Sequence, residues 1–74
     1  MRIFRFGRTD MVKINGEEKN AVGMTIAEYI ATTNYNPARI AVELGEAIVP
    51  KAKYADTVIK DGDVIEIVSF VGGG

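Results

Sequence analysis

Hydrophobic and polar side chains alternate near the start of the chain and predict a β-hairpin. Val12 and Ile14 flank a lysine and are followed by Asn15-Gly16. This dipeptide favours a two-residue hairpin turn, because both residues tolerate a positive φ. We expect the returning strand to span residues 17–21.

The same alternation returns at Ile40, where Val42 and Leu44 point to the same side of a predicted strand. Gly45-Glu46 fits a two-residue turn with glycine at its first central position. A returning strand then follows at residues 47–49, and the region predicts a second hairpin.

The strongest β pattern lies at the C-terminal end, over residues 64–71. It follows Asp61-Gly62-Asp63, which is typical of a turn because aspartate and glycine are preferred turn residues. Residues 51–57, before this turn, are polar enough for a loop or a helical turn. Tyr54 is the expected anchor of that segment in the core.

One helix is predicted between the two hairpins. Thr25 can cap its first turn while Glu28, three residues later, bonds back to Thr25 in a capping box. Ile26 and Ile30 fall on one helical face and are expected to pack on the sheet. Asparagines and a proline within residues 34–37 are expected to end the helix.

The order hairpin, helix, hairpin, turn and long strand predicts an α+β fold, a mixed sheet of four to five strands with one helix packed across it. If the last strand pairs in parallel with the first, the fold is a β-grasp, or ubiquitin-like, fold. We place the domain at residues 11–71 and a flexible glycine tail at 72–74. Residues 1–10 form an N-terminal extension, either an appendage outside the core or an extra edge strand.

Composition narrows the possible chemistry. The 74 residues include no cysteine, which excludes disulfides, thiolate nucleophiles and cysteine-bound metals. They include no histidine, which removes the commonest general base and metal ligand. Asp61-Gly62-Asp63 is a tight acidic pair in a predicted turn, and it lacks the further ligands of a calcium loop. We therefore expect no bound cofactor or metal, and no enzyme activity of the chain's own.

Charge is unevenly placed, although nine basic and ten acidic residues give a net charge of −1. Residues 1–13 have four basic and one acidic side chain, a net of +3, and the rest of the chain has five basic and nine acidic, a net of −4. An acidic body is unsuited to binding nucleic acid. No apolar run approaches the roughly 18–20 residues of a membrane span. We expect a cytoplasmic location and no membrane or nucleic-acid partner.

The chain ends in three glycines, Gly72, Gly73 and Gly74, directly after the last predicted strand. Glycine ends are often simply flexible tails. Glycine also lacks a Cβ, so such an end can thread a narrow channel into another protein's active site. Residues 71–74, if extended, reach about 13–14 Å beyond Phe70. A partner enzyme with ATP could adenylate the terminal carboxylate there, and a sulfur nucleophile could then convert it to a thiocarboxylate.

Several stretches carry a resemblance to a known family. They are Val12-Lys13-Ile14-Asn15-Gly16-Glu17, Thr25-Ile26-Ala27-Glu28-Tyr29-Ile30, Ala41-Val42-Glu43-Leu44, Ile48-Val49-Pro50, and the run from Ile59 to Gly74. An Asp-Gly-Asp turn that enters a final apolar strand ending in glycines is the most specific of these features. Over residues 11–74 the sequence resembles the ThiS family, the sulfur carriers of thiamine thiazole biosynthesis.

The resemblance implies a β-grasp protein that is a substrate of enzymes. Its terminal carboxylate, on Gly74 here, would be adenylated with ATP by a ThiF-like enzyme and become a thiocarboxylate, with Gly72 and Gly73 as the threading segment. The sulfur would come from cysteine through a desulfurase and pass to a ThiG-like thiazole synthase. The family's terminal pair is Gly-Gly, and the third glycine here lengthens the reach.

The last strand also suggests a docking surface. Val68 and Phe70 point away from the two isoleucines of this strand. If the isoleucines face the helix, Val68 and Phe70 form an outward apolar patch beside the tail. We predict that these two residues, with Val64 and Val71, bind the partner enzymes. The alternative is that Phe70 folds back over the sheet edge.

Three other functions fit the same features. The small subunit of molybdopterin synthase resembles the ThiS family in fold, tail and activation chemistry. A ubiquitin-like modifier would link Gly74 to lysines of target proteins. A β-grasp binding module would have the same domain with an inert tail.

Overall fold

The computed structural model describes residues 11–70. The expected extension at residues 1–10 and the expected tail at 72–74 lie outside the described residues, and the domain boundaries stay predictions. The elements, in chain order, are β1 (Val12–Ile14), β2 (Glu17–Lys19), α1 (Ile26–Ala31), β3 (Ile40–Leu44), β4 (Ala47–Val49) and β5 (Val64–Ser69). Single turns of 3-10 helix lie at Pro37–Arg39 and Lys51–Lys53.

The described strands form one mixed sheet in the order β2-β1-β5-β3-β4. β1 and β5 are parallel, with Lys13 opposite Val64 and Ile14 opposite Ile65, and the other pairs are antiparallel. The expected α+β class is confirmed, with five strands. The first and last strands of the domain therefore lie side by side at the centre of the sheet.

The first hairpin turns at Asn15-Gly16 as expected. Asn15 has a φ of 53° and Gly16 a φ of 83°. Two successive positive φ angles define a type I′ turn, whose twist matches that of the flanking strands. β2 ends at Lys19, earlier than the expected strand at 17–21, because three-residue β1 offers it no partner beyond Val12.

The capping box of α1 is confirmed. Thr25 Oγ1 accepts from the Glu28 N–H at 3.0 Å, and Glu28 Oε1 accepts from the Thr25 N–H at 2.9 Å. The helix ends at Ala31, before the expected end at 34–37. The Thr32 and Thr33 hydroxyls donate to the carbonyls three residues earlier, which competes with the next helical turn.

The core lies between α1 and one face of the sheet. Ile65 and Ile67 of β5 are 1% and 6% exposed, and Tyr54 is 6% exposed, so the expected anchor is confirmed. The buried side chains are Val12, Ile14, Ala21, Ile26, Ile30, Ile40, Val42, Val49, Tyr54, Ile59, Ile65 and Ile67. Every buried side chain within residues 11–70 is hydrophobic. On the other face of the sheet the described side chains are exposed or partly exposed.

Candidate functional site: the outer face of the last strand

The side of β5 that faces away from the core is apolar and exposed. Val64, Val68 and Phe70 are 49%, 55% and 52% exposed, while the isoleucines between them are buried. The Phe70 N–H donates to the Arg39 carbonyl at 2.8 Å, so Phe70 continues the line of the strand. This exposure favours the outward patch over the alternative that Phe70 folds back.

Sheet register adds residues from neighbouring strands to this face. Ala41 lies opposite Val68, Glu43 lies opposite Glu66, and Ile48 lies opposite Glu43. Ile48 is 65% exposed. We call Ile48, Val64, Val68 and Phe70 the outer patch. Ile48 was not among the predicted docking residues. The two-residue turn after Leu44 places it opposite Glu43 and hence on this face.

Two carboxylates interrupt the outer patch. Glu43 and Glu66 are directly opposite each other across β3 and β5. Like charges in this position destabilise a sheet, by roughly the 0.2–1 kcal/mol typical of cross-strand pairs. The one ion pair between described side chains joins Lys19 to Glu17, at 3.2 Å. The outer face therefore combines apolar contact area with two carboxylates that form no ion pair with a described side chain.

Asn15 connects the first hairpin to β5 and was expected only as a turn residue. Its Oδ1 accepts from the Ile67 N–H at 2.7 Å, and its Nδ2 donates to the Ile67 carbonyl and to Tyr35 Oη, each at 3.2 Å. The positive φ of Asn15 was foreseeable, but a contact 52 residues away needs the parallel register of β1 and β5.

Val71, Gly72, Gly73 and Gly74 lie outside the described residues. Their roles, like those of Val64, Val68 and Phe70 in partner binding, stay predictions. Phe70, a member of the outer patch, directly precedes this C-terminal segment in the sequence.

The described residues offer little else that suggests a site of chemistry. An apolar pocket of about 270 Å³ lies beside α1, between Tyr35 and Tyr54. Burial raises the pKa of Tyr54 above its ordinary value of 10.0. No group of three or more acidic side chains within residues 11–70 is arranged to hold a metal ion. Within the same range, no helix is both long and apolar enough to cross a membrane.

Comparison with known proteins agrees with this architecture. A solved structure of the thiamine biosynthesis protein ThiS from Geobacter metallireducens superposes with a TM-score of 0.71 at 26% identity, covering 86% of this chain and 99% of that one. The expected β-grasp fold is thereby confirmed.

Sequence relatives give the same result. The sulfur carrier protein ThiS of Bacillus subtilis is 37% identical over 67 residues, which cover 86% of this chain and all of that protein. Thiazole synthases of Paramagnetospirillum magneticum and Magnetococcus marinus are 44% and 36% identical, over 82% and 85% of this chain. The chain spans only about a fifth of the length of these two synthases, 19% and 20%. The model of the ThiS family matches residues 12–74. The chain therefore belongs to the ThiS family.

Proposed function

We propose that this protein is a sulfur carrier for thiamine biosynthesis, which delivers sulfur for thiazole formation as a thiocarboxylate on Gly74. The observation that carries the proposal is the match to the Bacillus subtilis sulfur carrier over that protein's whole length. The geometry of the described residues supports it, because the exposed outer patch ends at Phe70, directly before the C-terminal segment in the sequence.

The chemistry needs only the terminal carboxylate from this chain. A carboxylate is ionised at neutral pH and is a poor electrophile. Attack of its oxygen on the α-phosphorus of ATP releases pyrophosphate and gives an acyl-adenylate. A hydrosulfide equivalent then attacks the acyl carbon, AMP leaves, and a thiocarboxylate remains. A partner enzyme supplies ATP and the catalytic groups, so the carrier acts as a co-substrate and needs no cofactor of its own.

The activating partner in this proposal is a ThiF-like adenylating enzyme that docks on the outer patch. The exposed apolar side chains of the outer patch, beside the reactive end, offer this enzyme a contact surface. Glu43 and Glu66, facing each other within that area, favour a partner surface with positive charge, because opposite charges across an interface steer encounter and fix register.

The acceptor of sulfur in this proposal is a ThiG-like thiazole synthase. Two thiazole synthases contain a segment similar to this chain, which supports a working contact between carrier and synthase. The sulfur would come from cysteine through a desulfurase. A cytoplasmic location stays a prediction. The molybdopterin synthase subunit, the ubiquitin-like modifier and the inert binding module gain no support from the named relatives.

A tail truncation tests the proposal. The full chain should stimulate ATP–pyrophosphate exchange by a ThiF-like enzyme from the same organism. The chain lacking Gly73 and Gly74 should fail to do so, because its carboxylate falls about 7 Å short at 3.3–3.6 Å per residue. Circular dichroism should show the same thermal midpoint for both chains. Equal exchange with the truncated chain would contradict the proposal and favour a binding module.

A further inference from the structure

The hydrogen bonds between parallel strands β1 and β5 continue past the last backbone bond of β1, through the side chain of Asn15. The Lys13 N–H donates to the Asp63 carbonyl at 3.0 Å, and the Asn15 N–H donates to the Ile65 carbonyl at 2.9 Å. After Asn15 the chain turns away into the hairpin, so no strand of residues 11–70 lies on that side of Ile67, the next residue of β5 in this series.

The side-chain amide of Asn15 takes the place of the missing peptide group. It accepts from the Ile67 N–H and donates to the Ile67 carbonyl, so both backbone groups of Ile67 are paired. A primary amide presents one acceptor and two donors and can imitate a peptide in this way. The second donor reaches Tyr35 Oη at 3.2 Å, which fixes the amide's orientation.

Ile67 is the last position at which described residues hold β5 from both sides. Beyond it, the Phe70 N–H donates to the Arg39 carbonyl on the β3 side. By strand alternation the backbone groups of Ser69 face the β1 side, where no described residue hydrogen bonds to them. The amide of Asn15 therefore marks the point at which the strand passes from two-sided to one-sided support.

We propose that Asn15 is a positioning residue for C-terminal activation. Its amide is the last described support of β5 on the β1 side, and it thereby limits the directions in which the chain beyond Phe70 can approach the activating enzyme's active site. This inference rests on the proposed function. The outer patch sets how tightly the carrier docks, whereas Asn15 sets how often the docked carrier presents its carboxylate correctly.

The variant Asn15→Gly isolates the amide. Glycine adopts the positive φ of this turn without strain, so the hairpin is kept and only the side-chain hydrogen bonds are lost. Thr25→Ala is the matched control, because it destabilises the domain through loss of a helix cap on α1 and leaves β5 untouched.

Amide hydrogen exchange followed by NMR tests the structural step without any partner enzyme. In Asn15→Gly the Ile67 amide should exchange about tenfold faster or more, since one lost hydrogen bond of about 1.4 kcal/mol corresponds to a factor of ten. The Val68 amide faces β3, so its exchange rate should change only by the amount that the change in the free energy of global unfolding explains. Unchanged protection at Ile67 would overturn the inference.

Steady-state adenylation with a ThiF-like enzyme tests the functional step. For Asn15→Gly we expect kcat to fall about tenfold or more, because a displacement of about 1 Å can cost about 100-fold in rate. KM for the carrier should change less than about twofold, and Thr25→Ala should behave as the wild type. Asn15→Asp keeps the acceptor for the Ile67 N–H but places an oxygen in the position of the donor to the Ile67 carbonyl, so it should not restore kcat.

The outcomes separate this inference from the proposed function. An adenylated wild type with an unchanged kcat in Asn15→Gly overturns the inference alone. A rise in KM with unchanged kcat also overturns it, because it would place Asn15 in docking. A wild-type chain that is never adenylated overturns the proposed function and the positioning role together.

Discussion

Replacing Val68 by aspartate tests the outer patch as a docking surface. Val68 is 55% exposed and lies opposite Ala41, so the new carboxylate enters no buried site. Exposed substitutions usually change the free energy of unfolding by about 0.5 kcal/mol or less, and aspartate's poor strand propensity brings the cost to about 1 kcal/mol at most. Val68→Asp should therefore stay folded.

The effect on binding should be much larger. Full burial of a valine side chain is worth about 1.5–3 kcal/mol, so burying the exposed half of Val68 in an interface contributes about 1 kcal/mol. A carboxylate that meets the apolar part of the interface, and not the positive charge expected opposite Glu43 and Glu66, adds at least about 1 kcal/mol of lost hydration. The sum of about 2 kcal/mol corresponds to roughly thirtyfold weaker binding.

Isothermal titration calorimetry against a ThiF-like enzyme measures this effect, and circular dichroism measures the thermal midpoint. Val58→Asp is the matched control, because Val58 is 46% exposed but lies outside β5 and the outer patch. An affinity of Val68→Asp equal to that of Val58→Asp, with both variants folded, would refute the assignment of the outer patch.

Two further predictions concern stability. Thr25→Ala should lower the free energy of unfolding by about 1 kcal/mol and the thermal midpoint by about 4–8 °C, because the capping box holds a helix of only six residues; no shift in a thermal melt would mean that the cap is dispensable. Tyr54 should make the fold sensitive to alkali. Because the pKa of Tyr54 is raised in the folded protein, the hydroxyl loses its proton at a lower pH in the unfolded chain. The contribution of buried, neutral Tyr54 to the free energy of unfolding is therefore complete below about pH 10 and is lost as pH rises above that value. Urea unfolding at pH 8 and pH 10.5 should show a smaller loss in Tyr54→Phe than in the wild type, and equal losses would contradict this role of burial.

Features set by neighbouring residues were predictable from the sequence. The turn at Asn15-Gly16 and the Thr25 capping box depend on residues close in the chain, and both were confirmed. The burial of Ile65 and Ile67 in β5 was predictable from alternation alone, because successive side chains of a strand point to opposite faces. The fold class then followed from the order of the elements.

Features that depend on sheet register were missed. Ile48 joins the outer patch only because β4 pairs with β3, and Asn15 reaches Ile67 only because β1 pairs with β5. The end of α1 was also placed too late, since the pattern of hydrophobic residues does not report hydroxyls that compete for helix carbonyls. The choice between a reactive and an inert tail depended on the family resemblance, because a run of glycines alone does not distinguish the two.

The most direct test of the sulfur-carrier proposal is the mass of the C-terminal tryptic peptide, residues 61–74, after incubation with ATP, a ThiF-like enzyme and a sulfur donor. Exchanging oxygen for sulfur adds nearly the same mass as oxidising a methionine, so the intact protein, with three methionines, is a poor readout. The peptide contains no methionine, which makes a gain there specific. We predict a thiocarboxylate on this peptide. An unmodified peptide, with the enzyme shown to activate another carrier, would contradict the proposal.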